Sequence, residues 1–184
     1  MLWLRLQRST KTKISNLKYS TIQYKKGQGK NEFDCGKESL NNYLARQLSQ
    51  DVKKHLSAGF VALDENESNI IGYYTLSSNS IPLELVPEKY RKKYPSTYKN
   101  IPTTLLGRLA IDKSQFGKGF GAELLIDALR RSYESSIGQI ASVAVIVDPL
   151  DEEAENFYNK FGFQKLPDSG KMFLGMKEVS KLFE

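Results

Sequence analysis

The feature that most constrains the fold is an apolar segment, TTLLGRLAID at 103–112, that runs directly into a glycine-rich loop, FGKGFG at 116–121. The apolar segment has the composition of a buried strand. After the loop, apolar residues recur on one stripe, which predicts an amphipathic helix over about 119–133. The residues of this stripe are Leu124, Leu125, Ala128 and Leu129. A strand, a flexible loop and a helix are therefore expected in immediate succession.

Two interpretations of the loop stay open on spacing alone. Gly117, Gly119 and Gly121 let the backbone approach a ligand, and amides at a helix N-terminus hold a diphosphate. The same residues also suit a tight turn between a strand and a helix. A Walker loop is excluded, because Gly121 is followed by Ala122 and Glu123 rather than by Lys and then Ser or Thr. A Rossmann loop survives only in the register that ends on Ala122, and no acidic residue closes a convincing next strand.

The remaining elements predict an α/β (α+β) fold with a mixed sheet. In chain order they are a helix over 34–56 with Asp34 or Ser39 as its N-cap, a hairpin of 59–65 and 70–78, short helical pieces between the prolines of 81–102, an interior strand at 139–148, a helix at 151–163 and a last strand at 171–177. The predicted buried face of the first helix comprises Leu40, Tyr43, Leu44, Leu48, Val52 and Leu56.

Charge divides the chain into two parts. Residues 1–31 hold eight basic and no acidic side chains, whereas residues 32–184 hold 19 basic and 21 acidic ones. The formal charge of +6 therefore comes from the N-terminal segment. An acid-free, basic segment that contains Ser and Thr also resembles an organellar transit peptide, but we expect 1–31 to form a basic, flexible arm and 32–184 to form one domain. No apolar run reaches the roughly 20 residues that a membrane helix needs, so we expect no membrane partner.

Cysteine and histidine are too few for several kinds of site. The single cysteine, Cys35, excludes an internal disulfide framework and indicates a reducing compartment, so we expect a cytoplasmic protein. The single histidine, His55, lies in a lysine-rich helical segment without a flanking motif. A zinc site or a Ser/His/Asp triad would need this residue, and we therefore expect no metal.

A second motif, AENFYNKFGF at 154–163, lies in the last predicted helix before the final strand. With the strand, glycine loop and helix before it, this motif resembles the GNAT N-acetyltransferases, over roughly residues 59–178. The resemblance implies a mixed, mostly antiparallel sheet flanked by helices, with a splayed central strand pair that holds acetyl-CoA. Within that superfamily the chain is most similar to toxins of toxin-antitoxin pairs that acetylate the α-amine of aminoacyl-tRNA. The segments that carry this similarity are FDCGKESLNNYL (33–44), IIGYYTLSSNSI (70–81), IPTTLLGRLAID (101–112), FGKGFGAELLIDAL (116–129) and DEEAENFYNKFGF (151–163).

The resemblance also assigns site residues. Tyr158 would protonate the departing thiolate of coenzyme A, although on spacing alone it equally suits a core aromatic. The residues assigned to acetyl-CoA are Leu109, Ala110, Ile111, Phe116, Gly117, Lys118, Gly119, Phe120, Gly121 and Ala122. One position departs from the family pattern, because Phe116 stands where the family has Gln or Arg. We therefore expect backbone amides and Lys118 to hold the diphosphate.

A basic and aromatic segment, KYRKKYPSTYK at 89–99, is the candidate acceptor site. Cations that hold phosphates and rings that stack bases suit a single-stranded 3′ end of RNA, although a solvated charged loop has the same composition. The residues assigned to the substrate are Arg91, Lys92, Lys93 and Arg108. Arg108 is included because the toxin subgroup has an arginine near the acceptor in this strand, a position that equally suits a structural ion pair.

The resemblance to toxins implies a protein that blocks translation by acetylating aminoacyl-tRNA. It also implies a small antitoxin of ribbon-helix-helix type as the partner, and it leaves a homodimer open. One alternative is an acetyltransferase for a small amine or a protein amine that is not a toxin. Another is a noncatalytic acyl-CoA-binding module, against which the retained Tyr158 and the intact glycines argue.

Overall fold

A computed structural model describes residues 21–29 and 33–183. These residues divide into two compact units. The first unit contains residues 21–77 and 106–128, apart from the gap at 30–32, and the second contains residues 78–105 and 129–183.

In the described residues the chain forms seven strands and six α-helices, joined by short 3₁₀ and π segments. The strands are β1 (Ile22–Gln23), β2 (Ala58–Leu63), β3 (Ile70–Pro82), β4 (Asn100–Ile111), β5 (Ala144–Val147), β6 (Gln164–Lys165) and β7 (Met172–Gly175). The helices are α1 (Glu38–Asn42), α2 (Leu48–Lys53), α3 (Glu88–Arg91), α4 (Phe120–Gly138), α5 (Glu152–Lys160) and α6 (Met176–Ser180). Over the same residues, no helix is long and apolar enough to cross a membrane.

The strands form one sheet in the order β1-β2-β3-β4-β5-β7-β6. β1 and β2, β2 and β3, β5 and β7, and β6 and β7 pair antiparallel. The predicted mixed, mostly antiparallel sheet flanked by helices is confirmed. The predicted hairpin is β2–β3, and Asp64 holds its turn by accepting hydrogen bonds from the amides of Ser68 (2.7 Å) and Asn69 (3.1 Å).

The first predicted helix begins later than expected. It forms as α1, a π segment (Tyr43–Gln47) and α2. Its N-cap residue is Lys37, and no side chain caps it, so neither Asp34 nor Ser39 has the predicted role. The Asp34 carboxylate is engaged elsewhere, by the amide of Gly36 and by Lys113.

The same helix ends earlier than expected. His55 adopts a left-handed backbone conformation, with φ of 57°, and the Leu56 amide returns to the carbonyl of Asp51 at 2.9 Å. This geometry terminates a helix. Leu56 was predicted on the buried face, but it lies beyond the helix and is 63% exposed.

Part of the segment expected to be a flexible arm (1–31) belongs to the sheet. β1 pairs with β2, and Thr21 beside it is buried. The Thr21 hydroxyl donates a hydrogen bond to Asp127 on α4, which also accepts from the Tyr74 hydroxyl at 2.6 Å. The expectation is corrected here, because buried polar contacts hold these residues in place. Residues 1–20 lie outside the described residues.

The predicted helix after the glycine-rich loop is confirmed as α4. The four apolar residues expected on its buried stripe, Leu124, Leu125, Ala128 and Leu129, are all buried. Its first residue, Phe120, packs against Gly72 on β3, where an added Cβ would lie 2.7 Å from the ring. The glycine in β3 therefore lets the start of α4 approach the sheet.

The second unit contains the interior strand and the tyrosine helix. The interior strand is β5, whose residues are all buried, but it is shorter than the predicted 139–148 because residues 139–141 are exposed. The helix predicted at 151–163 is confirmed as α5. Asp151 caps it by accepting a backbone hydrogen bond, and Gly162 follows its end with φ of 84°.

The prediction that the chain closes on a strand over 171–177 was wrong after Gly175. β7 stops there and α6 follows directly. Met176 and Val179, which are three residues apart, are buried, whereas Lys177 between them is exposed. This spacing places the two apolar side chains on one face of a helix.

Candidate active site

Asp112 fixes the point at which the glycine-rich loop leaves β4. Its Oδ1 accepts a hydrogen bond from the Ser114 amide at 2.9 Å and so caps a short 3₁₀ turn, Lys113–Gln115. Its own amide donates to the carbonyl of Ile71 on β3 at 2.9 Å. The entrance of the loop is therefore tied to the neighbouring strand.

Two glycines give the loop its shape. Gly117 and Gly119 both have left-handed backbone, with φ of 74° and 78°. Residues with a Cβ rarely adopt this conformation, so the sequence requires glycine there. No atom lies within 4 Å of a Cβ built at either position, so these two residues border open space. The amides of Ala122 and Glu123 bond to the Gly119 carbonyl and begin α4.

Phe116, which departs from the family pattern, is exposed to 53% and lies at the exit of the 3₁₀ turn. Gln115 and Lys118 are polar residues close to Phe116 in the sequence. Gln115 donates to the Ser114 hydroxyl at 3.2 Å and accepts from the Lys118 ammonium at 3.5 Å. Both contacts are exposed, so both side chains can exchange them for contacts with an anion.

The strand residues assigned to the thioester and the pantetheine arm alternate in burial. Ala110 is buried in the core of the first unit, whereas Leu109 and Ile111 are half-buried. Such alternation is the ordinary period of a strand. It places the backbone of these residues at the surface of the core, next to the exposed Arg108.

Arg108 contacts an aromatic ring. Its guanidinium carbon lies 4.8 Å from the centre of the Tyr43 ring, a cation–π contact. Tyr43 is buried, and its hydroxyl donates to Asp51 at 2.8 Å. Burial raises the pKa of Tyr43 above its ordinary value. The sequence analysis placed Tyr43 on the buried face correctly but did not connect it to Arg108, because they lie 65 positions apart in the printed sequence.

The π segment contains Tyr43, whose ring Arg108 contacts. A π turn inside an α-helix inserts an extra residue and is frequent at functional sites. Here it begins at Tyr43, which stacks on Tyr73 of β3 with ring centres 6.4 Å apart. The Tyr73 hydroxyl in turn donates to the Leu40 carbonyl at 2.8 Å. Tyr73 therefore holds in place the Tyr43 ring that Arg108 contacts.

Tyr158 belongs to the second unit. Its side chain is 7% exposed and contacts the rings of Phe157 and Phe163, both with centres 5.3 Å away. Burial raises its pKa well above the ordinary value, and no hydrogen bond contributes to that shift. The phenol is therefore neutral and keeps its proton at physiological pH. Burial among aromatic rings also agrees with the core role that spacing alone left open.

The basic segment at 89–99 is anchored in the second unit by Tyr90. This residue is 5% exposed, and its ring lies 5.1 Å from Phe173 of β7. Burial raises the pKa of Tyr90 to about 12. The ammonium groups of Lys89 and Lys93 lie 4.6 and 5.8 Å from the same ring. Tyr90 therefore supports the segment from below and cannot stack on a base.

A groove of about 910 Å³ lies beside this segment. It is lined by Pro82, Leu83, Glu84, Arg91, Lys92, Tyr94, Ser96, Tyr98, Lys99 and Asn100. Tyr98 is 56% exposed and Tyr94 is half-buried, so these two rings remain available to a ligand. Lys92 forms an exposed ion pair with Glu88 at 2.7 Å. Arg91 donates to the Glu84 carbonyl at 3.1 Å.

The predicted site residues thus fall into two groups. The first unit brings together the glycine-rich loop, the strand residues 109–111 and Arg108. The second unit holds Tyr158 and the basic residues Arg91, Lys92 and Lys93. Across the described ranges, no three side chains of the kind that bind metals cluster together.

Comparison with known proteins identifies the family. The Acetyltransferase (GNAT) family matches residues 30–163. A tRNA-acetylating toxin of Mycobacterium tuberculosis is 32% identical over 82% of this chain and 87% of its own length. The structure of AtaT complexed with acetyl-methionyl-tRNAfMet is 30% identical, with a TM-score of 0.82 over 90% of this chain and 99% of that one. A mutant AtaT toxin bound to the C-terminus of the antitoxin AtaR and acetyl-CoA is 26% identical, with a TM-score of 0.74 over 90% and 98%. The chain therefore belongs to the GNAT acetyltransferase family.

Proposed function

We propose that this protein is an acetyl-CoA-dependent N-acetyltransferase that acetylates the α-amine of aminoacyl-tRNA and thereby acts as a toxin that blocks translation. The observation that carries the proposal is the loop of two left-handed, open glycines immediately before α4, in a chain of the GNAT family. The similarity to a tRNA-acetylating toxin and to AtaT in complex with an acetylated aminoacyl-tRNA supports the choice of acceptor.

The first unit holds acetyl-CoA in this proposal. Amides of residues 117 and 119–121 bind the diphosphate, since successive amides at a helix N-terminus favour an anion. The amides of Lys118 and Ala122 already donate to carbonyls within the segment. Phe116 offers no hydrogen bond to a phosphate, and Lys118 supplies the cation nearby. The half-buried strand residues 109 and 111, with Ala110 between them, provide backbone groups for the pantetheine arm and the thioester. No metal takes part.

Tyr158 is the general acid of the proposed reaction. The α-amine attacks the thioester carbonyl, the C–N bond forms, and the C–S bond breaks as the thiolate leaves and the amine loses a proton. The thiolate takes the proton of the Tyr158 hydroxyl. The proton that the amine loses passes to solvent water, and solvent returns a proton to the Tyr158 phenolate before the next turnover. A thiol has an ordinary pKa of about 8.5, so transfer from a phenol of raised pKa is uphill. Burial nevertheless guarantees that the acid is protonated when the thiolate forms.

The acceptor end of the tRNA contacts the groove beside the basic segment and Arg108. Arg91, Lys92 and Lys93 are exposed and hold phosphates, and Tyr98 offers an exposed ring on which an unpaired base stacks. Tyr90, which the sequence grouped with Tyr98, supports the segment instead. Arg108 is the acceptor-side residue of the first unit, held over the Tyr43 ring.

The partner of the protein in this proposal is an antitoxin of ribbon-helix-helix type that masks the active site or the basic segment. The complex of AtaT with the C-terminus of the antitoxin AtaR supports an antitoxin as the partner. The protein acts in the cytoplasm, where charged tRNA is found. A homodimer is compatible with the proposal but is not required by it.

The decisive experiment compares Tyr158→Phe with the wild type. Acetyl-CoA affinity, measured by calorimetry, is expected to stay within about twofold, because the glycine-rich loop of the first unit supplies most of the coenzyme's contacts in this proposal. Turnover with charged tRNA is expected to fall by about 10² to 10⁴, the usual contribution of a general acid. Tyr133→Phe, which removes a hydroxyl from α4, is the matched control and should retain full turnover. Near-normal turnover of Tyr158→Phe would refute its role.

The acceptor is tested with labelled acetyl-CoA and a panel of charged tRNA, uncharged tRNA, polyamines and peptides. Label is expected on the aminoacyl group of charged tRNA alone. Reversal of charge at Arg91, Lys92 and Lys93 together should weaken this reaction, most strongly at low salt, and should reduce its dependence on salt concentration. Label on polyamines or peptides instead would identify the protein as a small-amine or protein-amine acetyltransferase, not a toxin.

A further inference from the structure

The segment FDCGKESLNNYL at 33–44 contacts the entrance of the glycine-rich loop within the first unit. The Asp34 amide donates to Asp112 Oδ2 at 2.9 Å, and the Lys113 amide donates to the Asp34 carbonyl at 2.9 Å. The Lys113 ammonium also contacts Asp34 Oδ2 at 2.7 Å. The backbone and the side chain of Asp34 therefore bind Asp112 and Lys113, which are consecutive residues at the loop entrance.

The Asp34 side chain is fixed by its own segment. Its Oδ1 accepts hydrogen bonds from the Gly36 amide and from the Asn41 side-chain amide, both at 2.8 Å. Gly36 has left-handed backbone with φ of 79°, and an added Cβ would lie 3.2 Å from the Lys113 side chain. The hydrogen bond from Lys113 is the largest of the causes that lower the pKa of Asp34 to about 2. The carboxylate is ionised at physiological pH and uses both oxygens.

The Asp112 carboxylate links this contact to the loop. One of its oxygens accepts from the Asp34 amide, and the other accepts from the Ser114 amide that opens the 3₁₀ turn. A displacement of Asp34 therefore reaches the turn through a single carboxylate. Beyond the turn lie Gly117 and Gly119, which have no side chains to fix their backbone.

We propose that Asp34 is a positioning residue for coenzyme binding. Together with Asp112 and Lys113 it forms a clamp that holds the entrance of the glycine-rich loop in the conformation that binds the diphosphate of acetyl-CoA. This inference rests on the proposed function, because it assumes that the loop binds this coenzyme. The clamp acts through backbone order, since a loop that is already ordered loses less conformational entropy when it binds a ligand.

The test uses Asp34→Ala and a milder variant, Lys113→Met. Asp34→Ala removes the ion pair with Lys113 and also the two hydrogen bonds from Gly36 and Asn41 that fix the Asp34 backbone at the loop entrance. Lys113→Met removes only an ion pair whose two side chains are half-exposed, and such pairs contribute little. Asp64→Ala is the matched control, because it also removes an aspartate that accepts backbone hydrogen bonds in the first unit, but at the β2–β3 turn.

Two measurements separate positioning from a general loss of stability. Amide hydrogen exchange of residues 113–122 is expected to accelerate in Asp34→Ala without ligand and to stay unchanged in Asp64→Ala. The Kd for acetyl-CoA is expected to rise about tenfold in Asp34→Ala and less than about threefold in Lys113→Met, in line with the loss of charge-assisted hydrogen bonds. At saturating acetyl-CoA, kcat of Asp34→Ala should stay within about twofold of the wild type, because the bound ligand restores the loop.

The possible results distinguish a failure of the clamp from a failure of the proposed function. Unchanged exchange and unchanged Kd in Asp34→Ala overturn the clamp and leave the proposed function intact. Equal losses in Asp34→Ala and Asp64→Ala overturn it as well, because the effect is then one of stability alone. A milder but parallel change in Lys113→Met supports it even where Asp34→Ala folds poorly. Wild-type protein that binds no acetyl-CoA overturns the proposed function, and the clamp with it.

Discussion

Replacement of Gly72 by Ala tests how the start of α4 is positioned. A Cβ at this residue would lie 2.7 Å from Cε1 and 3.2 Å from Cζ of Phe120, and 3.3 Å from a methyl group of Leu124. Carbon atoms pack best at about 3.5–4.0 Å, so the ring must move by close to 1 Å. Phe120 is 2% exposed, so its ring is enclosed by the core. We therefore expect Gly72→Ala to strain the contact between β3 and α4.

Two effects of opposite sign determine how much Gly72→Ala changes the free energy of unfolding. Overpacking of a core costs about 1–3 kcal/mol, whereas Ala in place of Gly restricts the unfolded chain and contributes about 0.4–1 kcal/mol in favour of folding. The steric effect is larger, so the net loss should be about 1–2 kcal/mol. For a chain of this length, that loss lowers Tm by about 2–8 °C. Phe120 belongs to the glycine-rich segment 116–121 and is the first residue of α4, and the affinity for acetyl-CoA should therefore fall as well.

Urea and thermal unfolding followed by circular dichroism measure the stability, and calorimetry measures the affinity. Gly138→Ala is the matched control, because no atom lies within 4 Å of its built Cβ. This control should be neutral or slightly stabilising. Phe120→Leu shortens the opposing ring, so the double variant with Gly72→Ala should lose less than the sum of the two single losses. Equal stability of Gly72→Ala and Gly138→Ala would refute the reasoning, and strict additivity would contradict it too.

Three further predictions follow from single contacts. Asp34 has a folded-state pKa of about 2 against an ordinary 3.8, so its contribution to stability is present above pH 4 and disappears as the pH falls towards 2. In Asp34→Asn, stability should fall less as the pH is lowered, as measured by the urea midpoint of unfolding at each pH. An unchanged loss of stability at low pH would contradict the ion pair. Phe116→Gln should bind acetyl-CoA about two- to tenfold more tightly without loss of stability, by the value of one hydrogen bond, as calorimetry can show. Gly175→Ala should destabilise by about 1–3 kcal/mol in urea unfolding, because its Cβ would lie 2.6 Å from the buried Tyr90 ring; wild-type stability would contradict this contact.

Local patterns predicted the elements that depend on local physics. The spacing of the glycines before an amphipathic stripe predicted the loop and α4, and alternating β-rich runs around a polar turn predicted the β2–β3 hairpin. The helix predicted at 151–163 is α5, which Asp151 caps and Gly162 follows. In each case the signal and the structure it determines lie within the same short stretch of chain, so no knowledge of the rest of the fold was necessary.

The errors have two physical origins, a local turn that periodicity does not reveal and contacts between distant residues. Leu56 continues the helical stripe in sequence, but the left-handed backbone at His55 ends the helix before it. Thr21 lies in a segment whose basic composition suggested an arm, yet its partner Asp127 is far along the chain. The Arg108–Tyr43 contact also joins distant segments. Composition and periodicity contain no information about such pairs.

The difference between local sequence patterns and contacts between distant residues also explains how the glycine-rich loop is held. Gly117 and Gly119 provide the conformation that an anion site needs, but glycine loses more backbone entropy than any other residue when it becomes ordered. Side chains outside the two glycines must therefore supply the order. At the entrance Asp112 caps the 3₁₀ turn, and at the exit the Phe120 ring is buried against Gly72. The glycines that mark the site in the sequence are thus the residues that contribute least to its rigidity, and the residues that give it rigidity have no sequence signature of their own.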